Sequence, residues 1–299
     1  MGKSYSAQRE ASASSEVPLR VAITGGTAGL GLALVREFRD RGAEVAFVAR
    51  GRERLEHVAR ELPGSHAIVG DLARKEDIHP IALQVIGSLG GGVDVLVNNA
   101  SSLGPVPLAL LADTECEELE LAVATNLIGP FRLSRALLAA LSASARQGRG
   151  AVILNVISDA AINPYPQWGA YGASKASLLH LSRIWDAELI GEGVRVLAVD
   201  PGDMNTELHA TALPDADPAS LKRPETAARE LVDAIASALP NGELCGLRPG
   251  SDPGSPQRSP KVGPFTGRPK RDSARSTLRG NCATSTASIS PPCCGTGIW

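Results

Sequence analysis

Tyr171 and Lys175 stand four residues apart in the run YGASK, and positions i and i+4 share one face of a helix. A phenol with a cation beside it is a candidate acid/base. A free tyrosine titrates near pH ~10 and is mostly inert at neutral pH, but a nearby ammonium stabilises the phenolate. The phenol can then exchange a proton with a carbonyl or alcohol oxygen. The spacing alone recurs by chance, so its context decides. Upstream, Ser158 follows the apolar run VILNVI, where a hydroxyl could hydrogen-bond the same oxygen. Asn126 lies inside a helical pattern, where an amide weakens the helix unless its side chain has a task. The plainer reading of Asn126 is a satisfied internal amide.

A second group of residues points to phosphate. An apolar strand pattern runs straight into TGGTAGLG at 24–31, and a helical pattern follows. Glycines there permit a tight turn and a close backbone approach to a pyrophosphate, and the helix N-terminus offers free N–H groups. A lone glycine-rich run is weak evidence; between the first strand and first helix of an alternating series it is strong. The second strand pattern ends at Ala49, followed by Arg50 and Arg52. No acidic residue stands there to take ribose hydroxyls, and a guanidinium at that place can pair with a 2′-phosphate. Either both arginines are ordinary helix-start charges or Arg50 selects NADP. The missing acid favours the second.

The elements that must position these groups follow from periodicity. Strand patterns cover Arg20–Thr24, Glu44–Ala49, Ser65–Val69, Val93–Asn98, Ala151–Ile157 and Arg195–Asp200. Helical patterns, such as Gly29–Arg41, Ile78–Leu89, Glu115–Ser142, Tyr171–Ile190 and Pro224–Leu239, lie between them. This alternation predicts an α/β fold, a doubly wound parallel sheet with helices on both faces. It places Ser158 at the C-terminal edge of the sheet, where such folds bind ligands. Residues 1–17 read as a disordered polar extension and 18–248 as the folded domain. Residues 249–299 are rich in Pro, Gly and Ser, with seven Lys or Arg against two Asp, and read as a disordered basic tail. That tail is either an interaction segment or unselected sequence, for example one read past a shifted frame. Its lack of any period favours the latter.

Taken in order and spacing, TGGTAGLG, NNA at 98–100, Asn126, Ser158, YGASK and PGDMNT at 201–206 resemble the short-chain dehydrogenase/reductase family over about 18 to 240. The glycine pattern is similar to the shorter branch of that family. The resemblance implies a Rossmann-type fold and an oxidoreductase that moves a hydride between a nicotinamide cofactor and a carbon bearing oxygen. It implies that Tyr171 is the general acid/base, that Lys175 lowers its pKa and holds the nicotinamide ribose, and that Ser158 polarises the substrate oxygen. Asn126 would position a water behind Lys175. Cofactor contacts are implied for Thr24, Gly25, Thr27, Gly29, Leu30, Gly31 and Arg50. Asp71, with Leu72 beside it, would meet the adenine, and Asn98 and Ala100 would line the adenosine ribose. Pro201, Gly202, Met204 and Thr206 would flank the nicotinamide carboxamide. Three departures stand out: Ser101 replaces the usual glycine after NNA, the basic residue that NADP-binding members often carry inside the glycine turn is absent, and ELCGLRPGS at 243–251 gives at most a stub of the family's last strand.

Composition bounds the rest. A net charge of -2 gives no footing for nucleic acid, and no apolar run approaches the ~20 residues of a membrane span. A cytoplasmic protein without a metal site is expected, since neither the five cysteines nor the five histidines show ligand spacing. The candidate specificity loops carry Leu108, Tyr165, Trp168, Met204 and Leu208, so a small, fairly apolar carbonyl or alcohol is the expected substrate. A homodimer or homotetramer is expected from the family. The alternative to an NADP(H)-dependent oxidoreductase is a cofactor-binding protein without turnover.

Overall fold

The computed structural model describes residues 17–240. The extension through residue 16, the ELCGLRPGS stub and the basic tail lie outside the described residues. Strands β1 (Arg20–Thr24), β2 (Glu44–Ala49), β3 (Ser65–Val69), β4 (Val95–Asn98), β5 (Ala151–Val156) and β6 (Val194–Val199) form one sheet in the order β3-β2-β1-β4-β5-β6. Every pairing is parallel. The order reverses between β1 and β4, and that reversal opens a crevice at the strands' C-terminal ends.

The four inner strands β1, β2, β4 and β5 bury both faces, as their near-continuous apolar sequence requires, while the edge strands β3 and β6 are only partly covered. Val21, Ile23, Val95, Val97, Val152 and Leu154 point to one face, where they meet Leu34, Val35 and Phe38 of α1 (Gly29–Asp40). Leu231, Val232 and Ile235 of α8 (Pro224–Ala238) close the same layer. Ala22, Leu96 and Ile153 point to the other face, against Ile81 and Val85 of α3 (Lys75–Ser88) and Leu133, Leu137 and Leu141 of α5 (Gly129–Arg146). The doubly wound expectation holds. No described helix is long and apolar enough to cross a membrane.

The helices depart from expectation in two places. The single helix expected over Glu115–Ser142 is split: α4 spans Cys116–Val123, a π-helical turn covers Ala124–Ile128, and α5 follows. Pro130 has no N–H to return to the carbonyl of Asn126 four residues back, and the widened turn carries the Asn126 side chain. The helix α2 (Arg52–Glu61) carries little apolar periodicity in the sequence, since only Leu55 and Val58 of it reach the core. Helix α6 (Gly169–Leu189) begins two residues before Tyr171, so Tyr171 sits in its first turn. The strand expected from Val93 begins at Val95. Asp94 instead joins both neighbours through its backbone, donating to Arg20 and accepting from Val152.

Candidate active site

The crevice is a cavity of about 560 Å³ that runs from the glycine turn to α6, a size suited to a small-molecule ligand. Gly25 and Gly29 take positive φ, +71° and +49°, which glycine adopts freely. A Cβ on Gly31 would stand 2.1 Å from the Gly25 carbonyl oxygen. At the N-cap of α1, Ala28 makes no side-chain cap, so the first-turn N–H groups are left to the cavity. Gly25, Thr27, Gly29, Leu30 and Gly31 all line it. Thr24 stands behind the turn: its hydroxyl accepts from the N–H of Asn99 at 3.0 Å and of Ala100 at 3.1 Å.

Arg50, Gly51, Asp71, Leu72 and Ala100 line the far wall, and Arg52 lies outside it, exposed, against Glu56. Arg54, which was not foreseen, also lines the cavity and binds Glu207 of the short helix α7 (Glu207–Ala212) through two 2.9 Å contacts. The side chain of Asn98 turns away from the cavity. It is buried and donates to Asn155 Oδ1 at 2.8 Å and Ser134 Oγ at 3.1 Å. Asn99 lines the cavity instead, and its amide donates to the carbonyls of Thr24 and Gly25. Strand alternation carries this signal: Asn98 shares the face of Leu96, which packs under α5.

At the other end, Pro201, Gly202, Met204 and Thr206 line the cavity beyond β6. Gly202 has φ +77°, and Lys222 Nζ holds the Pro201 carbonyl at 2.9 Å. Thr206 caps α7 by accepting from the His209 N–H. Its methyl would be 3.1 Å from a Cβ on Gly29, so the loop after β6 sits close against the glycine turn. Burial pushes the Asp200 carboxyl above its ordinary value, although it accepts from the Gly202 N–H.

Ser158, Tyr171 and Lys175 meet in the middle of the wall. Lys175 is 2% exposed; its Nζ donates to the Val156 carbonyl at 2.7 Å and lies 5.5 Å from the centre of the Tyr171 ring. Burial pushes Lys175 down to about 8. It also pushes Tyr171 up to about 12, outweighing the nearby hydroxyls of Ser158 and Ser101, which act to lower its value. Desolvation is the largest influence on the phenol. The ammonium is directed at a backbone carbonyl, and the lowering comes from hydroxyls. Trp168 packs edge-on to Tyr171, with ring centres 5.6 Å apart.

Asn126 is fully buried, and its amide is saturated by protein groups. It donates to the Ser102 carbonyl (2.8 Å) and Ser174 Oγ (2.9 Å), and accepts from the Ser102 N–H (2.7 Å) and Ser101 Oγ (3.1 Å). Two donors and two acceptors are what an amide has. This amide pins the segment after β4 to α6. Ser101 fits without strain, since Gln167 is the one described non-glycine residue with positive φ. Among the described residues no His, Cys, Asp and Glu side chains gather as a metal set.

The glycine cradle, the uncapped α1 terminus and the length of the cavity fit a dinucleotide, and this is the crevice of a dinucleotide-dependent enzyme. The short chain dehydrogenase family model matches residues 20–217, and the chain belongs to the short-chain dehydrogenase/reductase family. It is an oxidoreductase of CH–OH and C=O groups with a nicotinamide cofactor. An uncharacterised oxidoreductase of Thermotoga maritima is 35% identical over 192 residues, which is 62% of this chain and 72% of that protein. A 3-ketoacyl-(acyl-carrier-protein) reductase from Brucella melitensis, solved with NADH, is similar with a TM-score of 0.67 at 29% identity. That match covers 76% of this chain and 93% of the reductase. An NADPH-bound carbonyl reductase from chicken fatty liver gives 0.65 at 25% identity, covering 73% and 92%.

Proposed function

We propose that the protein is an NADP(H)-dependent oxidoreductase that interconverts a small, fairly apolar ketone and its secondary alcohol, with Tyr171 as general acid/base. The observation that carries this reading is the Tyr171 phenol on the cavity wall, flanked by the Ser158 hydroxyl and the buried Lys175 ammonium. A bound nicotinamide supplies or accepts the hydride. In reduction Tyr171 gives its proton to the carbonyl oxygen while Ser158 donates a hydrogen bond to that oxygen; in oxidation the phenolate takes the proton back. Lys175 holds the ribose hydroxyls and keeps positive charge near the phenolate. Leu103, Ile157, Trp168 and Leu208 give the substrate end its apolar lining.

NADP is favoured over NAD because Arg50 lines the cavity just past β2 and no acidic residue stands there. The two solved relatives, one with NADH and one with NADPH, leave the choice to residues of this chain. Arg50→Ala is expected to weaken NADPH roughly ten- to hundredfold, as loss of a charge-assisted contact does. NADH should be nearly unaffected, and equal losses for both cofactors in calorimetric titration would overturn the preference.

The same reading extends to a homodimer or homotetramer in the cytoplasm, supported by exposed Leu119 and Leu121 on α4 and Ile184 on α6. A monomer in sedimentation velocity would count against the assembly. The test of the reaction is Tyr171→Phe, which should abolish turnover of ketones and leave NADPH affinity within about twofold. Binding without turnover in the unaltered chain, across a broad carbonyl panel, would instead favour a cofactor-binding sensor.

A further inference from the structure

Arg54 and Glu207 meet at the rim of the cavity. Both side chains line it, and both stay exposed, at 62% and 69%. Arg54 belongs to the first turn of α2, on the cofactor side, and Glu207 opens α7, which follows β6. Their contact has two prongs: Nη1 and Nη2 of Arg54 each donate to one carboxylate oxygen of Glu207 at 2.9 Å. Arg52 stays on its own helix against Glu56, whereas Arg54 reaches a residue 153 positions away. The start of α7 is held a second time, because Thr206 sits close against Gly29 of the glycine turn. Beyond these two holds, Leu208, Thr211 and Ala212 line the same cavity.

We infer that Arg54 and Glu207 are positioning residues that clasp α7 to α2 at the rim of the nicotinamide dinucleotide site, so that the clasp sets the α7 wall of the substrate end and the cofactor leaves when it parts. An exposed ion pair is weak and screened by salt, which suits a contact that breaks and reforms in each turnover. The two-pronged pairing of a guanidinium with a carboxylate fixes direction as well as distance, so α7 returns to one position. Neither residue touches the reacting atoms; both act through α7. While they are joined, their charges offset one another, so the clasp discriminates little between a dinucleotide with a 2′-phosphate and one without. That choice is left to Arg50.

The inference rests on the cavity holding the dinucleotide, and its main test needs no carbonyl. Release of NADPH, and separately of NADH, is followed by stopped-flow fluorescence in the unaltered full chain, E207Q, R54M and the exchanged pair R54E/E207R. E207Q and R54M should each release both cofactors about two- to fivefold faster, the scale of one exposed pair. R54E/E207R should slow release again. At about 0.5 M salt the unaltered chain should approach E207Q. With a ketone that the unaltered chain reduces, KM should rise by a similar factor in E207Q while kcat does not fall. The melting temperature should stay within about 3 °C, which separates the clasp from a part of the folded core. Release unmoved in E207Q, or still fast in R54E/E207R, would overturn the inference. Slower release of NADPH from E207Q would also overturn it, since Arg54 would then be a phosphate ligand that Glu207 withholds. Faster release from E207Q in a chain that reduces no carbonyl leaves the clasp standing and sinks the proposed reaction; Tyr171-dependent turnover with release unmoved in E207Q is the reverse.

Discussion

At the scale of single residues, burial sets the chemistry of the site. Lys175 titrates at about 8 in the fold against 10.5 for a free lysine, so between those values the unfolded chain binds a proton that the folded chain does not. Stability from this group is therefore full above pH 10.5 and lost as pH falls to 8. Tyr171 works in the opposite sense. Its value of about 12 against 10.0 leaves its contribution intact below pH 10 and removes it as pH rises toward 12. Lys175→Met should therefore abolish turnover and yet raise stability at pH 7 by about 1–3 kcal/mol. The gain should shrink toward zero as pH approaches 10.5; thermal melts across pH check both the sign and the trend. The Tyr171–Lys175 pairing was legible in the sequence because spacing on a helix is local. The direction of both shifts was not, because each is set by burial beneath segments distant in sequence.

At the scale of elements, the site is assembled by joints between them. The π turn at Ala124–Ile128 brings Asn126 inward, and its amide joins the segment after β4 to α6. Asn126→Ala would leave Ser174 and both backbone groups of Ser102 without these partners. It should lower unfolding stability by about 2–4 kcal/mol in urea titration, with several buried polar groups left unpaired. A loss below ~0.5 kcal/mol would mean that the segment is held by other contacts. Gly31→Ala sets a Cβ against a backbone oxygen that cannot swing aside. It should abolish measurable NADPH binding or the fold itself. The alternation of strands and helices was legible because each element buries a continuous apolar face. The division of the long helix was not, since it arises from a missing N–H at Pro130 and from partners of Asn126 remote in sequence. The choice between Asn98 and Asn99 could have been made from strand alternation alone.

At the scale of the whole molecule, the end of the sheet away from the site is closed by charge. Asp94 lies fully buried between Arg20 and Arg149, with contacts of 2.7 and 2.6 Å. Burial alone would raise its carboxyl, but hydrogen bonds from Arg149 and Arg20 outweigh that and hold it at about 2. Its stabilisation is complete above pH 3.8 and lost as pH falls through 2. Asp94→Asn should cost about 3–5 kcal/mol at neutral pH by leaving two guanidinium groups uncompensated, and it should flatten the acid limb of the stability profile. Equal acid limbs in the two chains would place the acid sensitivity elsewhere. The cavity lies at the opposite edge, where the strand order reverses, and the reaction proposed for it converges on one oxygen atom. The most direct measurement is NADPH consumption by the full chain over a panel of small ketones, beside Tyr171→Phe at matched cofactor saturation. The account predicts turnover of at least one apolar ketone by the unaltered chain and none by the variant. Equal turnover by the two chains would contradict it.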